Sequence, residues 1–327
     1  MGIVIVIERV LSPLKRLRLP IGQLGWAATF LIGLSILLFL VRTTVSGWEE
    51  IQRYDWRFNY SLLALSLLML TGNTLQQSAI LRFVLKRLNN DLSFRQVFSM
   101  LSIANLGSYL PGRFWAYAGL AYMGRRHQVS ALASGVGIVT TVATSSIAGA
   151  ILSLLVGYRY LDRRMVIVAL LVVPLLLLMV HPAVVNWTLG RIPKRWRGAQ
   201  MLIPLSLAEI LGLVAWQLFS WTVQGLHLST LVLSIWPLSL KNAASIVGIA
   251  PAAWLAGYYS FLTPGGLGIR EGVMAFLLSA YMPASFAAGV ALLAQIAITI
   301  VQVVCALIGL RILRSTGVAE AQVEVPS

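Results

Sequence analysis

Long apolar runs alternate along this chain with short clusters of Lys and Arg. As a helix, about 20 apolar residues cross roughly 30 Å of hydrocarbon. Runs of that kind occupy 21–41, 59–81, 129–157, 165–187, 201–226 and 284–312. Two more apolar regions are interrupted. The first, 94–124, breaks at Pro111–Gly112. The second, 231–282, carries Pro237, Lys241, Pro251 and then the stretch Thr263–Gly272, TPGGLGIREG. Proline removes a backbone donor and glycine weakens a helix. In lipid the freed backbone groups need partners, so such breaks are expected where protein or a wet cavity covers them. The pattern predicts an all-α polytopic membrane protein with six full spans and two broken, re-entrant helical regions. A transmembrane barrel would read as short alternating segments instead.

The two broken regions share a layout. YLPGRFW is followed, 22 residues after Pro111, by ASGVGI from Ala133. FLTPGGLG is followed, 23 residues after Pro264, by AAGVAL from Ala287. This predicts two repeats, about 21–157 and 165–312, each with two spans, a broken pair and one further span. Residues 1–20 form a basic N-terminal segment that lacks the order of a cleavable signal. The tail 313–327 is expected to be disordered.

Composition agrees with the membrane reading. The chain of 327 residues is 58% hydrophobic and 11% charged, with a mean hydropathy of +0.85. A soluble domain carries about twice that charge. The formal net charge of +15 lies in clusters between spans, such as Lys86/Arg87, Arg125/Arg126 and Lys194/Arg195/Arg197. Clusters placed so set topology and touch anionic lipids; they do not predict nucleic-acid binding. With the N-terminus cytoplasmic, loops 82–95, 125–128, 190–197 and 311–314 fall inside, and 42–58 and 227–230 fall outside. Loop 158–164, with Arg159, Arg163 and Arg164, dissents. Both termini are then cytoplasmic and the two repeats are inverted, as in many secondary transporters. The lone cysteine, Cys305, and three scattered histidines give neither a disulfide framework nor a metal site, and no cofactor is expected.

Proline is favoured at the first helical position, so Pro111 and Pro264 read as starts of half-helices inside the membrane. Such N-termini favour anions. Arg113 and Arg270 stand near them, beside Gly112, Gly265 and Gly266, and an arginine fork suits a phosphate. Glu209, Lys241 and Glu271 lie in apolar surroundings, where ionisable groups are expensive and mark function by default. A Glu209–Lys241 or Glu271–Lys241 ion pair is the structural alternative. Asn105 adds a polar group to the first broken region. Asn73, Gln76, Gln77, Gln295 and Gln302 read mainly as interhelical hydrogen-bonding residues. GGLGIREG lacks the strand and βαβ unit of a dinucleotide site.

YLPGRFWAYAGLAYMGRR and PGGLGIREGVMAFLL resemble the two signature regions of the flippase-like transmembrane domain of lysylphosphatidylglycerol synthases. The resemblance spans roughly residues 20–312. Arg113 stands where Lys is the more frequent residue. In fused members this domain is thought to move aminoacylated phospholipid, which a soluble domain makes. The chain ends soon after the last span, so a synthase domain is not expected. The resemblance implies transbilayer movement of an amphiphilic lipid, such as a modified phospholipid or a polyprenyl-phosphate-linked glycan, in a prokaryotic inner membrane. The candidate substrate-binding residues, read from the breaks and from the ionisable and polar groups at membrane depth, are Arg113, Arg270, Glu271, Lys241, Glu209, Asn105, Pro111, Gly112, Pro264, Gly265 and Gly266. The partners expected are the lipid substrate, anionic lipids at the basic loops, a glycosyltransferase or lipid synthase, and a second copy of the chain. Two other classes stay open. One is a polyprenyl-phosphate-dependent glycosyltransferase using Glu49, Glu50 and Asp55. The other is a non-transporting partner of a synthase.

Overall fold

A computed structural model describes residues 23–47, 49, 52, 54, 58–109, 114–157, 184, 205–260, 266 and 268–315. Every regular element among them is helical. In chain order these are α1 (Gln23–Ser46), α2 (Tyr60–Arg87), α3 (Phe94–Asn105), a 3-10 turn (Leu106–Tyr109), α4 (Phe114–Arg126) and α5 (Ala131–Gly157). After 205 come α6 (Leu207–Leu233), α7 (Leu240–Ile246), α8 (Ile249–Tyr259), α9 (Ile269–Leu278) and α10 (Ala284–Ser315).

Helix starts are set by side-chain caps. Asn59 accepts from the Leu62 amide at α2, and Ser93 with Gln96 makes a capping box at α3. Ser206 and Glu209 make another at α6. Two expectations are corrected here. Residues 227–230 are not a loop: α6 runs on to Leu233, and the link to α7 is 234–239. The expected broken region 231–282 therefore begins inside α6. The span expected at 165–187, residue 184 apart, and the breaks at 110–113 and 261–265 lie outside the described residues.

The packing is inverted relative to a soluble protein. Ser66, Ser78, Gln217, Ser220 and His227 are buried, while Phe39, Leu68, Phe219, Ile296 and Ile300 face outward. In hydrocarbon, apolar outer faces need no cover and polar groups must satisfy one another inside. Leu132–Val156 and Ala284–Ser315 are long and apolar enough to cross a membrane by length and composition. Deleting outward apolar side chains would cost little packing; the cohesion lies in the buried clusters. One joins Leu40 of α1 to the end of α6, α7, α8, α9 and α10 around Leu228, Ile246, Leu278 and Phe286. Another joins α2, α5 and α6 around Ile80, Ile147 and Leu213.

A polar seam fastens α2 to α6. The Asn59 amide donates to the Ser234 carbonyl at 2.9 Å. Ser66 Oγ meets His227 Nδ1 at 2.7 Å. Asn73 Nδ2 donates to the Ser220 carbonyl and hydroxyl, both at 2.9 Å. Gln77 Nε2 donates to Gln217 Oε1 at 3.0 Å, and Arg87 forms an ion pair with Glu209. Partners ascend on α2 as they descend on α6, so the helices are antiparallel. Gly225 makes room beside this seam: a Cβ there would lie 2.2 Å from the Val247 carbonyl oxygen.

A central cavity with one guanidinium

A cavity of about 360 Å³ lies among the helices. Its walls come from α2 (Asn73, Thr74, Gln77), α3 and the 3-10 turn (Asn105, Ser108), α4 (Tyr117), α5 (Thr141, Ser145), α6 (Trp221, Gln224), α8 (Trp254, Tyr258), α9 (Arg270) and α10 (Gln302). The volume lies in the usual range for small-molecule sites. Arg270 is the sole formally charged side chain among the described lining residues.

Arg270 reaches the cavity because α8 and α9 touch backbone to backbone. A Cβ on Gly257 would lie 2.9 Å from Arg270 Cβ. A Cβ on Gly266 would lie 2.4 Å from the Gly257 carbonyl oxygen, and Gly266 has φ +76°, a left-handed value that glycine adopts freely. Arg270 Nε is buried and has no hydrogen-bond partner among the described residues. The same guanidinium borders a smaller space of about 60 Å³, with Tyr109, Glu271, Gln295 and Gln302 around it. The Tyr109 hydroxyl donates to Gln302 Oε1 and lies within hydrogen-bond distance of the Thr299 hydroxyl, at 3.1 Å. Gln295 Oε1 is buried without a partner among the described residues. Glu271 is 2% exposed, and its Oε2 accepts from the Gly268 amide at 2.6 Å.

An aromatic wall lines the same cavity. The rings of Trp254 and Tyr258 stack at 4.7 Å and 17°, and Trp221 leans on Trp254 at 5.2 Å. Tyr117 and Tyr258 share a hydroxyl–hydroxyl hydrogen bond. Trp221 Nε1 is held by the Ser145 carbonyl at 2.9 Å, which fixes that ring in place.

Of the residues expected at the site, Arg270 and Asn105 line the larger cavity, while Gly266 and Glu271 border the smaller one. Arg113, Pro111, Gly112, Pro264 and Gly265 lie outside the described residues. Among the described residues, α9 starts at Ile269. Gly268 at φ +85° interrupts the helix, and Glu271 caps the start at Ile269. Glu209 and Lys241 are not brought together. Glu209 caps the start of α6 and pairs with Arg87, whereas Lys241 is exposed on α7, past the other end of α6. A helix of 27 residues separates them, roughly 40 Å at about 1.5 Å per residue. Neither lines either cavity. Of the acids in the enzyme reading, Glu49 is exposed, and Glu50 and Asp55 lie outside the described residues.

The aromatic wall was missed because hydropathy counts Trp and Tyr toward the span. Its signal was the i, i+4 spacing of Trp254 and Tyr258 just before the TPGG break. Asn73 and Gln77, expected to join helices, do so and also face the cavity.

No curated protein and no solved structure matches the chain. The family model described as the lysylphosphatidylglycerol synthase TM region matches residues 26–306, which includes every described residue that lines the cavity. A match of that extent, on an all-helical chain with apolar outer faces, means that this membrane protein belongs to the lysylphosphatidylglycerol synthase TM region family.

Proposed function

We propose that this protein moves an amphiphilic lipid between the leaflets of a membrane. The headgroup crosses through the central cavity while the tails remain in hydrocarbon. The observation that carries this reading is Arg270, a buried guanidinium that opens into a polar cavity and whose Nε has no hydrogen-bond partner among the described residues. A charge at that depth is expensive without compensation. A phosphate arriving at the guanidinium offsets that cost and gains charge-assisted hydrogen bonds. The family's lipid-linked name agrees with a lipid ligand.

The antiparallel α2–α6 seam supports the inverted-repeat reading, because these helices are the second spans of the two expected repeats. In that arrangement the cavity sits between the halves, where alternating access exposes it to each side in turn. We place the protein in a prokaryotic inner membrane with both termini cytoplasmic, acting in transport rather than catalysis, beside a lipid or glycan synthase.

The test is a scrambling assay in liposomes, with fluorescent headgroup-labelled anionic phospholipid and a membrane-impermeant quencher. The folded wild-type protein accelerates exchange over empty liposomes. Arg270→Gln slows it by about tenfold or more, and Arg270→Lys lies between, since ammonium keeps the charge and loses the fork. No acceleration by wild-type protein, or full activity in Arg270→Gln, overturns the proposal.

A further inference from the structure

We infer that the headgroup this cavity accepts is a phosphate ester of a ring polyol, a sugar or cyclitol phosphate, and not a cationic aminoacyl group. This rests on the lipid-transport reading and names its substrate class. Three features of the cavity converge on it.

The first is charge. Arg270 is the only charged side chain among the described residues lining the larger cavity, and no carboxylate stands there to receive an ammonium. Glu271 borders only the smaller space, where one of its oxygens is already engaged by the Gly268 amide. A fixed positive charge at low dielectric draws a phosphate and repels a lysyl group.

The second is the orientation of the amides. Asn73 Nδ2 is committed to Ser220, and Gln77 Nε2 is committed to Gln217 and Ser220. With the donors tied to α6, the carbonyl oxygens remain as acceptors, Asn73 Oδ1 for a ligand alone and Gln77 Oε1 shared with Gln217 Nε2 at 3.4 Å. They suit hydroxyl donors, of which a ring polyol has several.

The third is the wall of Trp254, Tyr258 and Trp221. A polyol ring is apolar on its C–H faces and polar around its rim. It can rest those faces on the aromatic wall while its hydroxyls reach the amides on α2. The phosphate is placed by the chain itself. Arg270 Cβ packs on Gly257, three residues after Trp254 and one before Tyr258, so α9 anchors this arginine against the turn of α8 that carries the wall, and all three line one cavity. The same ring-polyol phosphate chemistry occurs on lipids and as free sugar phosphate. The apolar outer faces and the family membership favour the lipid-borne form.

The experiment is competition binding to the full-length protein in nanodiscs, read by native mass spectrometry. The ligands are phosphatidylinositol, phosphatidic acid and lysyl-phosphatidylglycerol with identical chains, and soluble glucose 1-phosphate. Wild-type protein is expected to prefer phosphatidylinositol over phosphatidic acid by about five- to tenfold, and over lysyl-phosphatidylglycerol by more. Trp254→Leu removes the preference over phosphatidic acid without weakening phosphatidic acid itself. Arg270→Gln weakens both. Gln224→Glu adds a carboxylate to the cavity and shifts preference toward lysyl-phosphatidylglycerol, which tests the charge argument independently of the wall. Wild-type preference for lysyl-phosphatidylglycerol, or no shift in folded Gln224→Glu, overturns the assignment. Glucose 1-phosphate binding as tightly as phosphatidylinositol overturns the lipid-borne form. Selective binding without scrambling would sink transport and keep the substrate class. Scrambling of aminoacyl lipid but not phosphatidylinositol would do the reverse.

Discussion

Glu271 has two roles at one position. Its Oε2 accepts from the Gly268 amide, which starts α9, and its charge lies next to Arg270 in the sequence and beside the same small cavity. Glu271→Ala removes both and is expected to cost about 1–2 kcal/mol. Glu271→Gln keeps an acceptor for the amide and should cost less. Thermal midpoints in detergent, compared among the three proteins, check the order; equal midpoints for Ala and Gln would mean the cap is unimportant. At this scale the sequence was readable where a charge interrupts apolar surroundings, as with Arg270. It misled at Glu209. There the SLAE stretch is a capping box at a helix end, and the same four residues carry that signature. Treating the acid as buried overrode a local hydrogen-bonding pattern that was already legible.

Among the elements, the α8–α9 hairpin depends on two glycines. Alanine at Gly266 meets both the strain of a positive φ and the Gly257 carbonyl oxygen at 2.4 Å. Left-handed strain and overpacking together predict a loss of about 2–4 kcal/mol for Gly266→Ala. Gly72, in the middle of α2, has nothing within 4 Å of an added Cβ, so Gly72→Ala should be neutral or slightly stabilising. Unfolding monitored in mixed micelles separates the two, and a neutral Gly266→Ala would refute the close packing. Hydropathy located α2 and α6 but not their ends. It closed the first at 81 and the second at 226, while the helices continue to Arg87 and Leu233. A hydropathy window marks hydrocarbon depth, and polar residues such as Lys86 and Arg87 extend a helix into the interface without changing its hydrogen bonding.

For the whole molecule, the question is what holds the two expected halves together. The α2–α6 seam crosses between them with polar contacts that run from Asn59 to Arg87. Interhelical hydrogen bonds in membranes average about 0.6 kcal/mol each. Asn73→Leu or Gln77→Leu should therefore each cost about 1 kcal/mol, and a double mutant less than the sum, because both side chains donate to Ser220 Oγ. Denaturation of the single and double variants in mixed micelles measures this; a loss several times larger would make the seam the main brace. This seam was invisible in the sequence as a pairing. Asn73 and Gln77 were readable as polar, but their partners lie 140 or more residues away. Chain order alone does not pair helices that distant.

The seam also limits how the halves can move. On α2 the contacts at Asn59, Ser66 and Asn73 recur every seven residues, and on α6 Ser234, His227 and Ser220 recur at the same interval. Sliding one helix along the other by a fraction of that interval breaks these contacts at once. Turning the halves about the line of the seam leaves the contacts close to the axis nearly undisturbed. On the transport reading proposed above, the paired helices would work as an axle, stiff against translation and compliant in rotation, and the cavity beside them would open and close by swing rather than by slip.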